Sequence, residues 1–354
     1  MVALLVLWTA AVAIGQSTSI DLTPFGYKKA MDGHYAKPAF AGLSYIGDNA
    51  LFVTFPKTER NVASYGRPFS YTGIVLSRAG IKVGMAQLSG NYDDVLQKRI
   101  NIQPLSNVLV VVGDQLRIYS PSFSSFRSIE LPSRSQLRVS PNRKTIVAIS
   151  QEGNKSMDKI IDVQNATSHI DHLDFDERAV RDGLLAVAND RSVAHAVRDR
   201  DGELAVHSWS LRWPAFEVGK YQEPLAFTKS DELLVSAMAD TPFPPTELYL
   251  WKQNGVVRKV RGSKAGFYSS AQPSLDGQRV LMKQTNINDF LVLMGGGDCG
   301  DCGESYFYSV VDVSFAKVIL KRRQEWNCTE ALSPSGTELA ELCDGVIRFY
   351  PILH

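Results

Sequence analysis

The stretch that decides the fold reads Ala331-Leu332-Ser333-Pro334-Ser335-Gly336-Thr337-Glu338-Leu339-Ala340-Glu341-Leu342-Cys343-Asp344-Gly345-Val346-Ile347-Arg348-Phe349-Tyr350. Ala331-Leu332 lead into a tight polar turn, Ser333 to Gly336. The apolar run Leu339 to Leu342 follows, then the two-residue turn Asp344-Gly345, then a third apolar run, Val346 to Tyr350. The turn chemistry is specific: Ser or Asp caps the turn with its side chain, Pro presets φ, and Gly or Asn accepts φ > 0.

The same phrase recurs upstream. Pro273-Ser274-Leu275-Asp276-Gly277 precedes Val280-Leu281-Met282, and Val139-Ser140-Pro141-Asn142 precedes Thr145 to Ile149. Looser copies turn at Asp48, Asn107, Asp190 and Asp231, and a second hairpin follows one of them, from Val193-Val197 through Asp199-Arg200-Asp201-Gly202 to Leu204-Trp209. Seven markers, Asp48, Asn107, Asn142, Asp190, Asp231, Asp276 and Ser335, spread over 287 residues, an average spacing of about 48. Short β-branched or aromatic runs fill the gaps: Phe52-Phe55, Val108-Val112, Leu204-Val206 and Val346-Tyr350. Four strands per period of ~40–50 residues is the signature of a propeller. The 339 residues after Gly15 divide into seven such units. The spacing therefore predicts one all-β propeller of seven four-stranded blades over residues 16–354.

The Ser-Pro-Ser-Gly, Ser-Leu-Asp-Gly and Ser-Pro-Asn phrases resemble the LSPDG turns of WD-repeat-like and Tol-type propellers. No Trp-Asp dipeptide closes a blade; Ile118-Tyr119-Ser120 and Phe349-Tyr350-Pro351 occupy that slot. The resemblance implies a fold and, since fold does not dictate function, no particular activity. Propellers of this resemblance mostly act as binding modules.

The chain of 354 residues is 44% hydrophobic and 21% charged, with a formal charge of +1. That composition excludes wholesale disorder, collagen and coiled coil, and it supplies no general electrostatic drive toward nucleic acid or anionic lipid. Met1 to Ile14, MVALLVLWTAAVAI, is uncharged and apolar. It is short of the ~20 residues a bilayer span needs. It fits the apolar core of a secretory signal over residues 1–15, with Ala13-Ile14-Gly15 as a small-x-small cleavage site. The expected compartment is periplasmic or extracellular, and the expected state is monomeric with no stable membrane span. At the other end, the last blade supplies three strands and stops at His354, leaving an open edge. Ser19-Ile20-Asp21-Leu22 can supply its fourth strand.

The four cysteines, Cys299, Cys302, Cys328 and Cys343, lie in the last fifth of the chain. An even count in an exported protein suggests disulfides. Cys328 and Cys343 are symmetric about the middle of Ser335-Gly336, so strands on either side of that turn set them face to face. That leaves Cys299 and Cys302 to bridge each other within the loop Gly295 to Glu304. Two other readings of this loop stand beside a disulfide-pinned surface loop. One is a metal site using Asp298, Cys299, Asp301 and Cys302 or all four cysteines. The other is a redox pair, although the helix N-terminus that depresses a thiol pKa is missing.

Ser168 to Asp176 interleaves His169 and His172 with three aspartates. It reads as a metal or acid/base site, or as a solvated connection between blades; sequence neighbours along a strand seldom converge on one ion. His195 and His207, with Trp209, read as buried satisfied histidines or blade-face contacts rather than catalytic groups, Lys321-Arg322-Arg323 as a solvated corner, and the Pro-rich 239–247 as a loop that is either a recognition surface or a plain connection. Asn154, Asn165 and Asn327 head glycosylation sequons. No Gly-x-Ser-x-Gly, HExxH, P-loop or Gly-x-Gly-x-x-Gly occurs. The sequence therefore calls for no cofactor and for no separate catalytic domain. Three functions remain. The first is a non-catalytic module for a protein, peptide or glycan partner. The second is a propeller hydrolase or lyase acting on a saccharide or lactone at the axial funnel. The third is a metal- or redox-responsive module at Cys299 and Cys302. Three or more converging Asp, Glu or His from different blades would favour the enzyme.

Overall fold

The computed structural model describes residues 19–27, 42–56, 68–91, 102–104, 108–112, 115–120, 122–132, 135–152, 155–162, 165, 167–171, 185–196, 204–207, 213–229, 231–238, 246–265, 268–285, 306–324 and 328–353. They form seven antiparallel sheets in chain order. The first holds Gly42–Ile46, Ala50–Pro56, Pro68–Ser77 and Lys82–Asn91; the second Ile102–Pro104, Val108–Val112, Gln115–Tyr119 and Phe126–Glu130. The third holds Gln136–Val139, Thr145–Glu152, Lys155–Asp162 and Thr167–Asp171; the fourth Leu185–Val187, Val193–Ala196 and Leu204–His207. The fifth holds Lys220–Lys229, Glu232–Met238, Thr246–Lys252 and Val257–Lys259; the sixth Tyr268–Pro273, Arg279–Thr285, Tyr306–Asp312 and Lys317–Arg323. The seventh is built from Cys328–Leu332, Glu338–Cys343 and Val346–Pro351, with Ser19–Asp21 added as its outermost strand.

Each sheet packs on both neighbours. In the fifth, Leu233 and Val235 meet Ala186, Ala188 and Ala194 of the fourth, while Leu234 on the opposite face meets Val280 and Met282 of the sixth. Both faces are therefore apolar, which is why Glu232–Met238 is a continuous buried run rather than an alternating one. Val147 and Ile149 join the third sheet to the fourth through Leu185 and Val187. Leu116 and Ile118 join the second to the third through Ile146 and Ala148. Phe52 of the first meets Phe123 of the second, with ring centroids 5.9 Å apart. The sixth and seventh share Leu281, Tyr308, Val310, Leu332 and Leu339. Leu51, Val53 and Ile74 of the first close the ring against Ala340, Leu342 and Phe349 of the seventh. The architecture is a single all-β propeller, with the first strands of neighbouring sheets in contact at six of the seven junctions.

The turns between first and second strands share one end of the ring, because they bond to one another. In each clear copy the leading serine accepts the amide that opens the second strand: Thr145 N–H to Ser140 at 3.1 Å, Arg279 N–H to Ser274 at 3.0 Å, Glu338 N–H to Ser333 at 3.0 Å. Between sheets, Ser335 N–H donates to Asp48 at 2.9 Å, Leu275 N–H to Pro334 O at 2.8 Å, and Asn142 N–H to Asn189 Oδ1 at 2.9 Å. Gly277, at φ +68°, sits so close to the fifth sheet that a Cβ would lie 1.4 Å from Thr228 O. Arginines reinforce this end. Buried Arg279 donates to Gly336 O at 2.7 Å and Ile352 O at 3.2 Å. Arg78 forks onto Glu338 at 2.9 and 2.8 Å, stacks 3.3 Å over Phe349, and shares that carboxylate with the Tyr45 hydroxyl at 2.8 Å.

The ring closes through Ser19–Asp21, in register Ser19↔Arg348, Ile20↔Ile347 and Asp21↔Val346, and Leu22 N–H donates to Gly345 O at 2.8 Å.

Three expectations need correction. The fourth sheet has three strands among the described residues, not four. Downstream, residues 213–219 run irregularly, because Pro214 has no N–H to give a ladder, while Trp213 and Phe216 turn inward onto Trp251 at 4.8 and 5.2 Å. Thr246 and Glu247 open a buried strand and do not belong to the Pro-rich loop. Lys321-Arg322-Arg323 is no corner: it ends the outer strand of the sixth sheet, with Lys321 over Phe307 at 5.1 Å and Arg322 over Tyr350 at 3.7 Å.

Candidate functional site

The first strands line the centre of the ring, so their side chains decide what chemistry the centre can hold. Across these seven strands only two carboxylates occur, Glu223 and Glu330, and there is no histidine. Ser44, Ser270, Gln272 and Thr329 supply neutral polar groups, all only partly buried or exposed. Three converging acids from different sheets are therefore not present on these strands.

Glu330 belongs to the most unusual polar group among the described residues. Cys328–Leu332 pairs with Glu338–Cys343 so that Cys328 faces Cys343, Glu330 faces Glu341, and Leu332 faces Leu339. Alternation along each strand puts all six on one face, and the leucines pack onto Leu281, Tyr308 and Val310 of the sixth sheet. Cys328 and Cys343 form a disulfide, with Cα atoms 4.4 Å apart. Next to it, Glu341 is 5% exposed, and its two oxygens accept from the hydroxyls of Tyr308 and Tyr350, each at 2.9 Å. Burial and the Glu341 charge push the Tyr308 phenol up. Glu330 accepts through Oε2 from Gln324 Nε2 at 2.9 Å, and the same amide donates to Cys328 O at 2.9 Å. Glu330 Oε1 and Gln324 Oε1 are buried with no hydrogen-bond partner. Burial pushes the Glu330 carboxyl up to about 7; the neighbouring Glu341 adds to the rise and Lys283 opposes it. The group thus combines a carboxylate held by two phenols, a second carboxyl that exchanges a proton near neutrality, and a disulfide.

The structure brings together two of the residues singled out from the sequence, Cys328 and Cys343. Asp298, Cys299, Asp301, Cys302 and His172 lie outside the described residues. His169 stands on the outermost strand of the third sheet, opposite Ile160, and so on the rim of the ring rather than at its centre. The glutamates were missed, yet the signal was available. Cys328-x-Glu330 and Glu341-x-Cys343 are mirror images about the same turn, so the symmetry that pairs the cysteines also pairs the acids.

No family model matches the chain, and no curated protein matches it. Among solved structures, the β-propeller domain of the trilobed protease from Pyrococcus furiosus is similar at 6% identity with a TM-score of 0.51, over 89% of this chain and 97% of that one. Pyrococcus horikoshii acylaminoacyl peptidase is similar at 8% identity with a TM-score of 0.51, over 86% of this chain but only 50% of that one. TolB from Acinetobacter baumannii aligns at 13% identity with a TM-score of 0.43, over 84% of this chain and 80% of that one. At such identities the likeness is one of fold, the β-propeller. Among the described residues no helix is long and apolar enough to cross a membrane.

Proposed function

We propose that the protein is an exported, seven-bladed, non-catalytic propeller that holds a protein, peptide or glycan partner at the end of the ring opposite the bonded turns. The observation that carries this reading is the poverty of catalytic groups on the central strands: two carboxylates and no histidine over seven strands. Acid–base catalysis needs groups positioned on one substrate, whereas recognition is served by scattered polar groups and by loops on a rigid frame. The strands offer such loops. Second and third strands are separated by 11 residues in the first sheet (57–67), seven in the fifth (239–245) and 20 in the sixth (286–305), all leaving from the end away from the bonded turns. Each sheet counts as one blade in this reading, residues 1–15 are the export signal, 16–354 the mature propeller, and Cys299 and Cys302 pin the longest of these loops. The Cys328–Cys343 bridge supports an oxidising destination.

The test is binding of the purified mature chain to glycan and peptide arrays. In parallel runs a variant with 239–245 and 286–305 each replaced by a two-residue hairpin turn, and an Arg78→Ala variant altered at the bonded end. Retention by the parent and by Arg78→Ala, with loss in the shortened variant, is the expected pattern. Cleavage or elimination of an arrayed saccharide by the parent, abolished by Glu330→Gln, would replace this reading with the enzymatic one. N-terminal sequencing of exported material is expected to begin at Gln16; retention of residues 1–15 would remove the export signal from the proposal.

A further inference from the structure

Four potential metal ligands stand on one face of one hairpin: Cys328, Glu330, Glu341 and Cys343. Among the described residues, Cys328 Sγ, Cys343 Sγ and a Glu341 carboxylate oxygen lie within 4.8 Å of one another. Glu330 completes a rectangle, two residues from Cys328 on its strand and directly opposite Glu341. Its Oε1 is buried without a donor, so an acceptor in this rectangle is unfilled.

We propose that reduction of the Cys328–Cys343 disulfide opens a divalent-metal site of two thiolates and two carboxylates, with Cys328, Cys343, Glu341 and Glu330 as ligands and zinc as the fitting ion. A tetrahedral site with Zn–S of ~2.3 Å and Zn–O of ~2.0–2.2 Å sets neighbouring ligand atoms roughly 3.3–3.8 Å apart. Three of the four ligand atoms already stand within 4.8 Å of one another, and Glu330 joins them by rotation of its side chain. The outer contacts are those of a metal site: Tyr308 and Tyr350 donate to the Glu341 oxygens and fix the carboxylate's orientation. Gln324 does the same for Glu330 while tying it to the backbone at Cys328. A dication would also neutralise the two carboxyls that face each other across the strand pair. In the oxidised protein the S–S bond uses both sulfurs and the site is closed.

The chemistry balances with a trialkylphosphine as reductant. Phosphorus attacks one sulfur and the S–S bond breaks. Water then delivers its oxygen to phosphorus, giving the phosphine oxide, and its two protons to the two sulfurs. Zinc binding afterwards releases both thiol protons. The binding face proposed above plays no part in this, so either idea can fail alone.

The experiment uses the mature chain carrying Cys299→Ser and Cys302→Ser, so that the two remaining thiols belong to this hairpin. Protein is reduced with phosphine, desalted without oxygen, and titrated with zinc against a chromophoric chelator and with cobalt by absorption. One equivalent of zinc bound after reduction and none before is expected. The cobalt form should show the intense visible bands of a tetrahedral ion together with thiolate charge-transfer absorption. Cys343→Ser, or alkylation of both thiols in the folded parent, should abolish binding; Glu330→Gln and Glu341→Gln should each weaken it at least tenfold. No zinc uptake on reduction overturns the proposal. So does uptake that survives alkylation, or uptake indifferent to both glutamate substitutions. Alkylation keeps the test decisive if Cys343→Ser does not fold.

Discussion

The two ends of the ring are built on opposite principles. At one, backbone amides bond across to the neighbouring turn: Ser335 N–H to Asp48 Oδ1, Leu275 N–H to Pro334 O, Asn142 N–H to Asn189 Oδ1, with Gly277 pressed against Thr228. At the other, second strands hand over to third strands across as many as 20 residues, and the fixtures of the seventh sheet are side-chain ones, a disulfide and a carboxyl pair. Short bonded turns define sheet position with little sequence freedom. Once seven sheets are fixed from one end, the other can carry connections of any composition without loss of the frame. The difference assigns stability to the first end, and under the proposed function it leaves partner recognition to the second.

Substitutions can test that division. The largest effect belongs to Gly277→Ala. A Cβ there must displace the backbone of the fifth sheet at Thr228, and φ +68° disfavours any side chain. A loss of about 4 kcal/mol is expected in denaturant titration; a change under about 1 kcal/mol would show that the turn ring is not what fixes the sheets. Opening the disulfide with Cys328→Ala plus Cys343→Ala comes next. It frees a loop of 15 residues, which costs ~3 kcal/mol in the chain-entropy model, read as a lower midpoint in denaturant titration. Arg78→Ala removes a forked, partly exposed ion pair to Glu338 and its stack on Phe349. About 1–2 kcal/mol is expected, and Glu338→Gln should lose less, because Tyr45 keeps a partner.

A separate effect is on pH dependence. The Glu330 carboxyl is raised from 4.5 to about 7 in the folded chain. The folded state therefore holds this proton more tightly than the unfolded one, and the contribution is complete below about 4.5 and disappears as pH climbs through about 7. Thermal midpoints of the parent should fall across that window relative to Glu330→Gln; parallel curves would mean that Glu330 titrates normally.

Much of the bonded end was legible from the sequence, because its chemistry is local. Ser-Pro-x-Gly announces a turn within four residues, and the serine does cap the next strand's first amide. The spacing of such turns gives the propeller, and symmetry about Ser335-Gly336 brings Cys328 to Cys343. The centre was not legible, since which residues line it depends on seven strands brought together from across the chain. Arg78 and Glu338 are 260 residues apart, and nothing local marks either as the other's partner. In Lys321-Arg322-Arg323 the outer two are exposed, as a run of cations suggests, whereas Arg322 is partly buried over Tyr350, which arrives from another sheet. The fourth sheet, three-stranded among the described residues, shows the converse, since Pro214 is a local break that the repeat spacing does not register.

The closing strand has a consequence in time. Ser19–Asp21 is synthesised before every other described strand, and its partner Val346–Pro351 comes last, with Ser19 and Arg348 separated by 329 positions. Loop-closure entropy grows only logarithmically with such a distance, so the wait is a matter of kinetics. Hairpins of the intervening sheets can form as they appear, while the earliest of these strands stays unpaired until Val346–Pro351 has been made. The ring therefore cannot close before its seventh sheet has been made, since closure needs both Ser19–Asp21 and Val346–Pro351.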